Sequence, residues 1–365
     1  MRTLRRLIPA VAALVVAAAD FAFGGAPAQA NPVSPPPPAS IVGLAPVTAQ
    51  FLCDKYSADY NATSPAQPFY CWGATGPAMV ETKDDPNCLT PLPDGALADI
   101  AALAAHVRTS NNQDNCTDIA FSEVLPPVGT SGLTQIAFAK DLVTYSYVSG
   151  GDAVANLTTA ELTAIYECNA SLISASFPDG PVTWNEVGGA NTDAIVPVLP
   201  QSASGTRAVW LAALGVAYPG ACVVNGTYAS SKIEENEGTG PIFVSASGKD
   251  VVFPFSGADY VCYVYTASCP DLHGALVLGT VNGRAPLTSA HILNIAGGAA
   301  FPPGFVHSMF AVGYSVRCRL KCSMRKALSW AEQFSDDFWA VSLVIQSALP
   351  GAFMRALSYE LLCVP

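Results

Sequence analysis

The segment Leu199-Pro-Gln-Ser202-Ala-Ser204-Gly205-Thr206-Arg207 places small hydroxyl side chains and one cation where an apolar run ends and a helical pattern begins. First-turn N–H groups of a helix lack partners within the helix, so with Ser and Thr hydroxyls they can cradle an oxyanion without a net positive protein. Arg207 would add a charged fork. Ser204 before a helix is also an ordinary N-cap, the simpler role. The acidic run Glu234, Glu235 and Glu237 offers oxygen ligands of the kind Ca²⁺ takes, but reads first as a solvated loop. The four histidines, His106, His273, His291 and His307, show no metal-binding spacing, and no G-x-S-x-G nucleophile elbow occurs. We therefore expect no metal, no cofactor and no catalytic residue. A hydrolase built on Ser204 would need a His partner that the sequence does not reveal.

Composition narrows the partners. The chain of 365 residues is 51% hydrophobic and only 12% charged, against roughly 25% in ordinary soluble domains, with a formal net charge of −11. Nucleic-acid binders present a clustered basic surface, so that class is excluded. Any anionic ligand must be held by local donors.

The start of the chain reads as a secretory signal over residues 1–30. Arg2, Arg5 and Arg6 precede an Ala/Val-rich stretch, and Ala28-Gln29-Ala30 supplies small residues for cleavage near Ala30. The protein is thus expected outside the cytoplasm. All 11 cysteines follow this segment, and in an oxidising compartment they read as disulfides before metal ligands. Pairing by chain order gives Cys88 with Cys116, Cys168 with Cys222, and Cys262 with Cys269. Connectivity stays open, and Cys53, Cys71, Cys318, Cys322 and Cys363 leave an odd thiol.

Further elements position the chemistry. Residues 31–40 contain Pro-Val-Ser-Pro-Pro-Pro-Pro, a stiff extended linker. Apolar spacing predicts helices over 49–60 and 94–107, with a short strand at Ile119-Ala-Phe121. Residues 133–148 suit extended structure, 157–166 a helix, 194–199 a strand, 206–214 a helix and 251–255 a strand. Strand–helix alternation of this kind predicts an α/β chain with mainly parallel sheets. After about Gly313 the sequence turns basic, and Phe338–Ala348 is too short to span a bilayer.

The order of these motifs resembles the phosphate-binding (substrate-binding) proteins of phosphate ABC importers, in particular secreted actinobacterial members of the periplasmic-binding-protein-like type II superfamily. Leu157-Thr-Thr-Ala-Glu-Leu-Thr-Ala-Ile-Tyr166, Val182-Thr-Trp184-Asn185 and the Ser204-Gly-Thr206 loop carry the resemblance. Asp118-Ile-Ala-Phe-Ser122-Glu123, Phe138-Ala-Lys-Asp141-Leu-Val143, Val252-Phe-Pro-Phe-Ser256, Glu234-Glu-Asn-Glu-Gly-Thr239 and Phe301-Pro-Pro-Gly304 extend it over residues 41 to 313. It implies a two-lobed fold in which each lobe is a mainly parallel sheet flanked by helices. Residues 41–142 and 257–365 would form lobe 1 and residues 143–256 lobe 2, with crossover strands near 138–146 and 250–257.

The resemblance also implies a ligand set of Ser204, Gly205, Thr206 and Arg207 from one lobe, and Thr48, Thr75, Gly76, Ser122 and Glu123 from the other. Glu123 stands where the family has an Asp that accepts the proton of monohydrogen phosphate, which selects against fully ionised sulfate. The family's basic residue before Ser-Gly-Thr and its Gly/Ser-rich first loop are replaced here, by Leu199-Pro200-Gln201 and by Gly43-Leu-Ala-Pro-Val-Thr48. The implied function is capture of phosphate or a related oxyanion by a monomer that delivers it to the ABC permease in the membrane. The alternatives are a secreted interaction or adhesion protein with a degenerate pocket, and the serine hydrolase noted above.

Overall fold

Residues 41–45, IVGLA, are buried at every position, as a strand covered on both faces must be, and they form β1 (Ile41–Ala45). It runs parallel to β2 (Phe69–Gly73) on one side and to β3 (Ile119–Ser122) on the other. Side chains alternate across the pleat. One face packs Ile41, Phe69 and Phe121 against Ala49 and Cys53 of α1 (Val47–Asn61). The opposite face carries Ala120, covered by Ile100 and Leu103 of α2 (Ala96–Ala105). In the computed structural model, residues 31–105, 116–128, 130 and 132–314 are described. The expected leader with its cleavage near Ala30, His106, and the tail with Cys318, Cys322 and Cys363 lie outside them.

The sheet is continued by β4 (Leu133–Val148), a single strand of 16 residues. Its first part pairs antiparallel with β9 (Val306–Tyr314), and its second part pairs with β7 (Val251–Ser256) and β8 (Leu276–Leu278). Beyond β7 come β5 (Val196–Leu199) and β6 (Val224–Asn225), both parallel. The strand order is β2-β1-β3-β9-β4-β7-β5-β6, with β8 also on β4. Each half holds a parallel segment and its own cores, and β4, paired antiparallel on both sides, belongs to both.

The second half is packed by α3 (Thr159–Glu167), α4 (Gly205–Leu214) and α5 (Gly257–Tyr265). Thr158 and Glu161 form a reciprocal capping box that starts α3. Tyr166 at its far end is fully buried, its hydroxyl 3.1 Å from the carbonyl of Val198 and 3.0 Å from that of Val252. Trp184 donates its indole N–H to Asp250 at 3.0 Å. These motifs of the resemblance build the core of the second half.

The packing divides the chain differently from the sequence expectation. Tyr260 and Tyr263 of α5 stack edge-on against Phe255, and Phe305 packs on Trp210, so residues 257–305 share cores with 143–256. The chain passes from the first half to the second within β4, where Leu142 and Val143 both already pack in the core of the second half. It returns at β9, not at 250–257, because the aromatic side chains of α5 and of the 301–305 segment pack mainly in the cores of the second half.

Residues 31–40 also differ from a free spacer. The Asn31 side chain accepts from the Gly73 N–H at 2.6 Å and donates to the Thr75 carbonyl at 2.6 Å, and the Pro36 carbonyl accepts from the Asp84 N–H. A proline-rich segment is already extended and loses little entropy on docking, so it lies against the body.

Disulfides join Cys88 to Cys116, Cys168 to Cys222 and Cys262 to Cys269, the pairs given by chain order. A fourth joins Cys53 of α1 to Cys71 of β2, two residues left unpaired by that reasoning. They meet because α1 folds back across β1 onto its neighbour. No helix among the described residues is long and apolar enough to cross a membrane.

Candidate functional site

Helix starts from both halves converge at their boundary. Leu97, in the first turn of α2, donates its N–H to the carbonyl of Ala203 at 3.1 Å, just ahead of α4. Gly95 makes this approach possible: its φ is +104°, and a Cβ there would stand 2.5 Å from the Ala203 oxygen. Asp94 accepts from the Gln201 amide at 3.0 Å and pairs with Lys232. The first half therefore touches the loop that feeds α4.

Glu123 is the next link. The ladder that carries it is pinned by Asp118, which accepts the Val42 N–H at 2.9 Å and pairs with buried Lys83 at 2.9 Å. Leaving the end of β3, Glu123 is buried and accepts a hydrogen bond from the Thr48 hydroxyl in the first turn of α1. Its Oε2 has no partner and lies so near α4 that a Cβ on Gly205 would approach it to 2.3 Å. A side chain of the first half thus faces the first residue of a helix in the second.

Glu235 completes the cluster. The Ser204 hydroxyl donates to its Oε2 at 2.5 Å and the Thr206 N–H at 3.4 Å, while its Oε1 accepts no hydrogen bond of ordinary geometry. Ser204 is also the N-cap of α4, accepting the Arg207 N–H at 3.0 Å. Asn236, next in sequence, has φ of 57°, a left-handed conformation that Asn tolerates. Its amide donates to the Thr206 hydroxyl at 3.2 Å and accepts the Ser256 N–H at 2.8 Å, tying the start of α4 to the start of α5.

The electrostatics of this boundary are dominated by acids. Burial, followed by the charge of Glu235, holds the Glu123 carboxyl well above the usual range. Glu235 is pushed up to about 7, again by burial first, against the lowering effect of the Ser204 hydroxyl and the Thr206 and Val47 amides. Asp99 of α2 and Asp259 of α5 are both held well above the ordinary carboxylate value by burial, with neighbouring carboxylates adding to the rise. Asp141 accepts from the Ser256 hydroxyl at 2.6 Å and from the Ala258 N–H at 2.9 Å at the same boundary. Buried carboxyls held above their usual range, such as Glu123 and Glu235, beside the donors of a helix start can exchange protons with a protonated oxyanion while the dipoles hold its charge.

The residues expected from sequence separate into two sets. Thr48, Glu123, Ser204, Gly205 and Thr206 come together. Arg207 turns away, its guanidinium on the Pro200 carbonyl at 3.0 Å and on Asn225 at 2.5 Å. The Ser122 hydroxyl closes a local ring with the carbonyl and N–H of Val124, at 2.7 and 3.0 Å. Thr75 and Gly76 are exposed, and the Thr75 carbonyl is taken by Asn31. Glu235, expected in a solvated acidic run, is fully buried instead, as is its neighbour Asn236. The one signal for them is the Asn inside an acidic run just before Gly238, a sequence able to make the tight left-handed turn that drives them inward.

No family model matches the chain, and no curated protein matches it. Among solved structures it is similar to an ABC-type phosphate transport receptor from Vibrio cholerae, with 16% identity, a TM-score of 0.48, and 84% of this chain and 98% of that one covered. It is also similar to a putative phosphate ABC transporter substrate-binding protein with bound phosphate from Clostridium perfringens, at 14% identity and a TM-score of 0.48, covering 80% of this chain and 92% of that one. A phosphate binding protein from Stenotrophomonas maltophilia is similar at 13% identity and a TM-score of 0.41, with 76% and 79% covered.

Proposed function

We propose that this protein is an extracytoplasmic receptor whose two α/β halves close over a protonated oxyanion, inorganic phosphate, which it delivers as a monomer to an importer permease. The observation that carries this reading is the meeting of the α4 start with Glu123 and Thr48 across the boundary. Helix-start amides and the Ser204 and Thr206 hydroxyls would hold the phosphate oxygens. In its ionised form Glu123 would accept the remaining phosphate O–H, an interaction open to a protonated oxyanion and closed to sulfate. Ser204 is engaged as a cap and as a donor to Glu235, which suits binding and not nucleophilic attack.

Calorimetric titration of the protein lacking residues 1–30 with inorganic phosphate, run between pH 5.5 and 8, tests this. Heat of binding with phosphate and none with sulfate is expected; no heat at any pH up to millimolar phosphate would sink the reading. Thr206→Val removes the hydroxyl that Asn236 orients, and should weaken phosphate binding by at least tenfold, consistent with about 1.5 kcal/mol or more for a hydrogen bond to a charged group. Unchanged affinity would remove Thr206 from the site.

A further inference from the structure

We propose that Glu235 is an internal anion seated in this cradle, and that an incoming oxyanion binds by displacing its carboxylate from Ser204 and Thr206. The inference rests on the oxyanion reading above and adds the residue that sets its affinity.

Three observations carry it. Glu235 Oε2 already takes the Ser204 hydroxyl at 2.5 Å and the Thr206 N–H at 3.4 Å, the donors a ligand oxygen would use. Among the described residues its charge has no cationic partner: no Lys or Arg lies within ion-pair distance of it, and Lys232 is engaged by Asp94 and Glu234. A buried carboxylate ordinarily sits beside a cation. Here the compensation comes from a helix start and its hydroxyls, the environment that suits a bound oxyanion.

The third observation is that the seat is incompletely satisfied. Glu123 Oε2, fully buried, has no hydrogen-bond partner, and Glu235 Oε1 accepts none of ordinary geometry, the Val47 amide only approaching the carboxyl. An oxyanion carrying its own O–H groups would satisfy what the internal carboxylate cannot. A tetrahedral ligand also reaches several donors at once, whereas the Glu235 carboxyl takes both hydrogen bonds, from Ser204 and Thr206, on the same oxygen. Glu235 thus sets a threshold. Only a ligand that improves on its contacts displaces it, and a bare cradle would bind the same ligand more tightly.

The test compares the wild-type chain, Glu235→Ala and Glu235→Gln at pH 8, each lacking residues 1–30. Inorganic phosphate is titrated by calorimetry, and melting temperature is followed with and without 50 mM acetate, a free carboxylate able to refill the vacated seat. Glu235→Ala should bind phosphate at least tenfold tighter than wild type and Glu235→Gln at least threefold tighter. Acetate should raise the melting temperature of Glu235→Ala by several degrees and leave wild type unchanged. Variants that bind phosphate no tighter than wild type, with no acetate effect, would overturn the displacement and leave the phosphate reading standing. Acetate stabilisation of Glu235→Ala with no phosphate binding by any of the three proteins would keep the internal anion and overturn phosphate as the ligand. If Glu235→Ala fails to fold, Glu235→Gln, which keeps the side chain's size, decides by the phosphate ratio.

Discussion

At Gly205 the two halves come closer than any side chain would permit. A Cβ there would meet Glu123 Oε2 at 2.3 Å and its Cδ at 2.5 Å, in a region that is buried on all sides. Gly205→Ala should therefore push Glu123 off Thr48 and lower phosphate affinity at least tenfold, with an overpacking cost of about 1–3 kcal/mol. Calorimetry and thermal melting of the variant check both effects, and a variant with wild-type affinity would show that Glu123 does not shape the ligand. The residues of this contact were legible in the sequence because Ser-Gly-Thr at a helix start and an acid after a short strand have recognisable chemistry. Arg207 stands apart from the others for a rotational reason. Sequence spacing shows that it lies in the first turn of α4, but not which way around the helix it points, and its partners are Pro200 and Asn225. Glu235 was missed because an acidic run is usually solvated, and only the tertiary tie of Asn236 to Ser256 buries it.

Elements matter here through where they begin. The starts of α1, α2 and α4 supply the donors and the contacts of the boundary, and each was expected within a few residues of its place. Which starts would face one another was not legible, since that depends on how the chain crosses between halves. The α2–α4 contact is the most exposed to perturbation. Gly95→Ala must accommodate both a φ of +104° and a clash with the Ala203 carbonyl, so it should break the Leu97–Ala203 hydrogen bond and part the halves. We expect a loss of at least about 1–2 kcal/mol and a larger radius of gyration in small-angle scattering. An unchanged radius would mean that the boundary is held without α2. The Cys168–Cys222 bridge acts differently, by tying the end of α3 to the loop before β6 across a sequence separation of 54. Replacing both cysteines by alanine should cost about 4 kcal/mol of stability by the loop-entropy estimate, read from denaturant midpoints, while phosphate affinity stays unchanged.

For the molecule as a whole, the buried acids predict an unusual response to pH. Asp99, Glu123, Glu235 and Asp259 all have folded-state values raised above their unfolded ones, with burial as the first cause. Between the unfolded value near 4.5 and the folded value, about 7 for Glu235, the native state binds more protons than the unfolded state. Their protonation therefore stabilises the fold fully below that window, and the stabilisation is lost as pH rises through it. The melting temperature should be higher by several degrees at pH 5 than at pH 8 without ligand, and Glu123→Gln with Glu235→Gln should flatten the difference. A melting temperature that instead climbs steadily from pH 5 to 8 would show that these carboxylates are ionised in the native state.

The α/β alternation and two-part organisation were visible in the strand–helix pattern, but the assignment of 257–305 was not, because it rests on aromatic contacts between distant segments. The corrected path has a topological consequence. Leu142, where the chain enters the second half, and Val306, where it leaves, are register partners in the same ladder. The second half is thus an insertion with adjoining ends, spliced into the first between neighbouring rungs. A chain in which residue 142 is joined to 306 by a two-residue turn should keep β1, β2, β3 and β9 with the first part of β4 in their observed pairing.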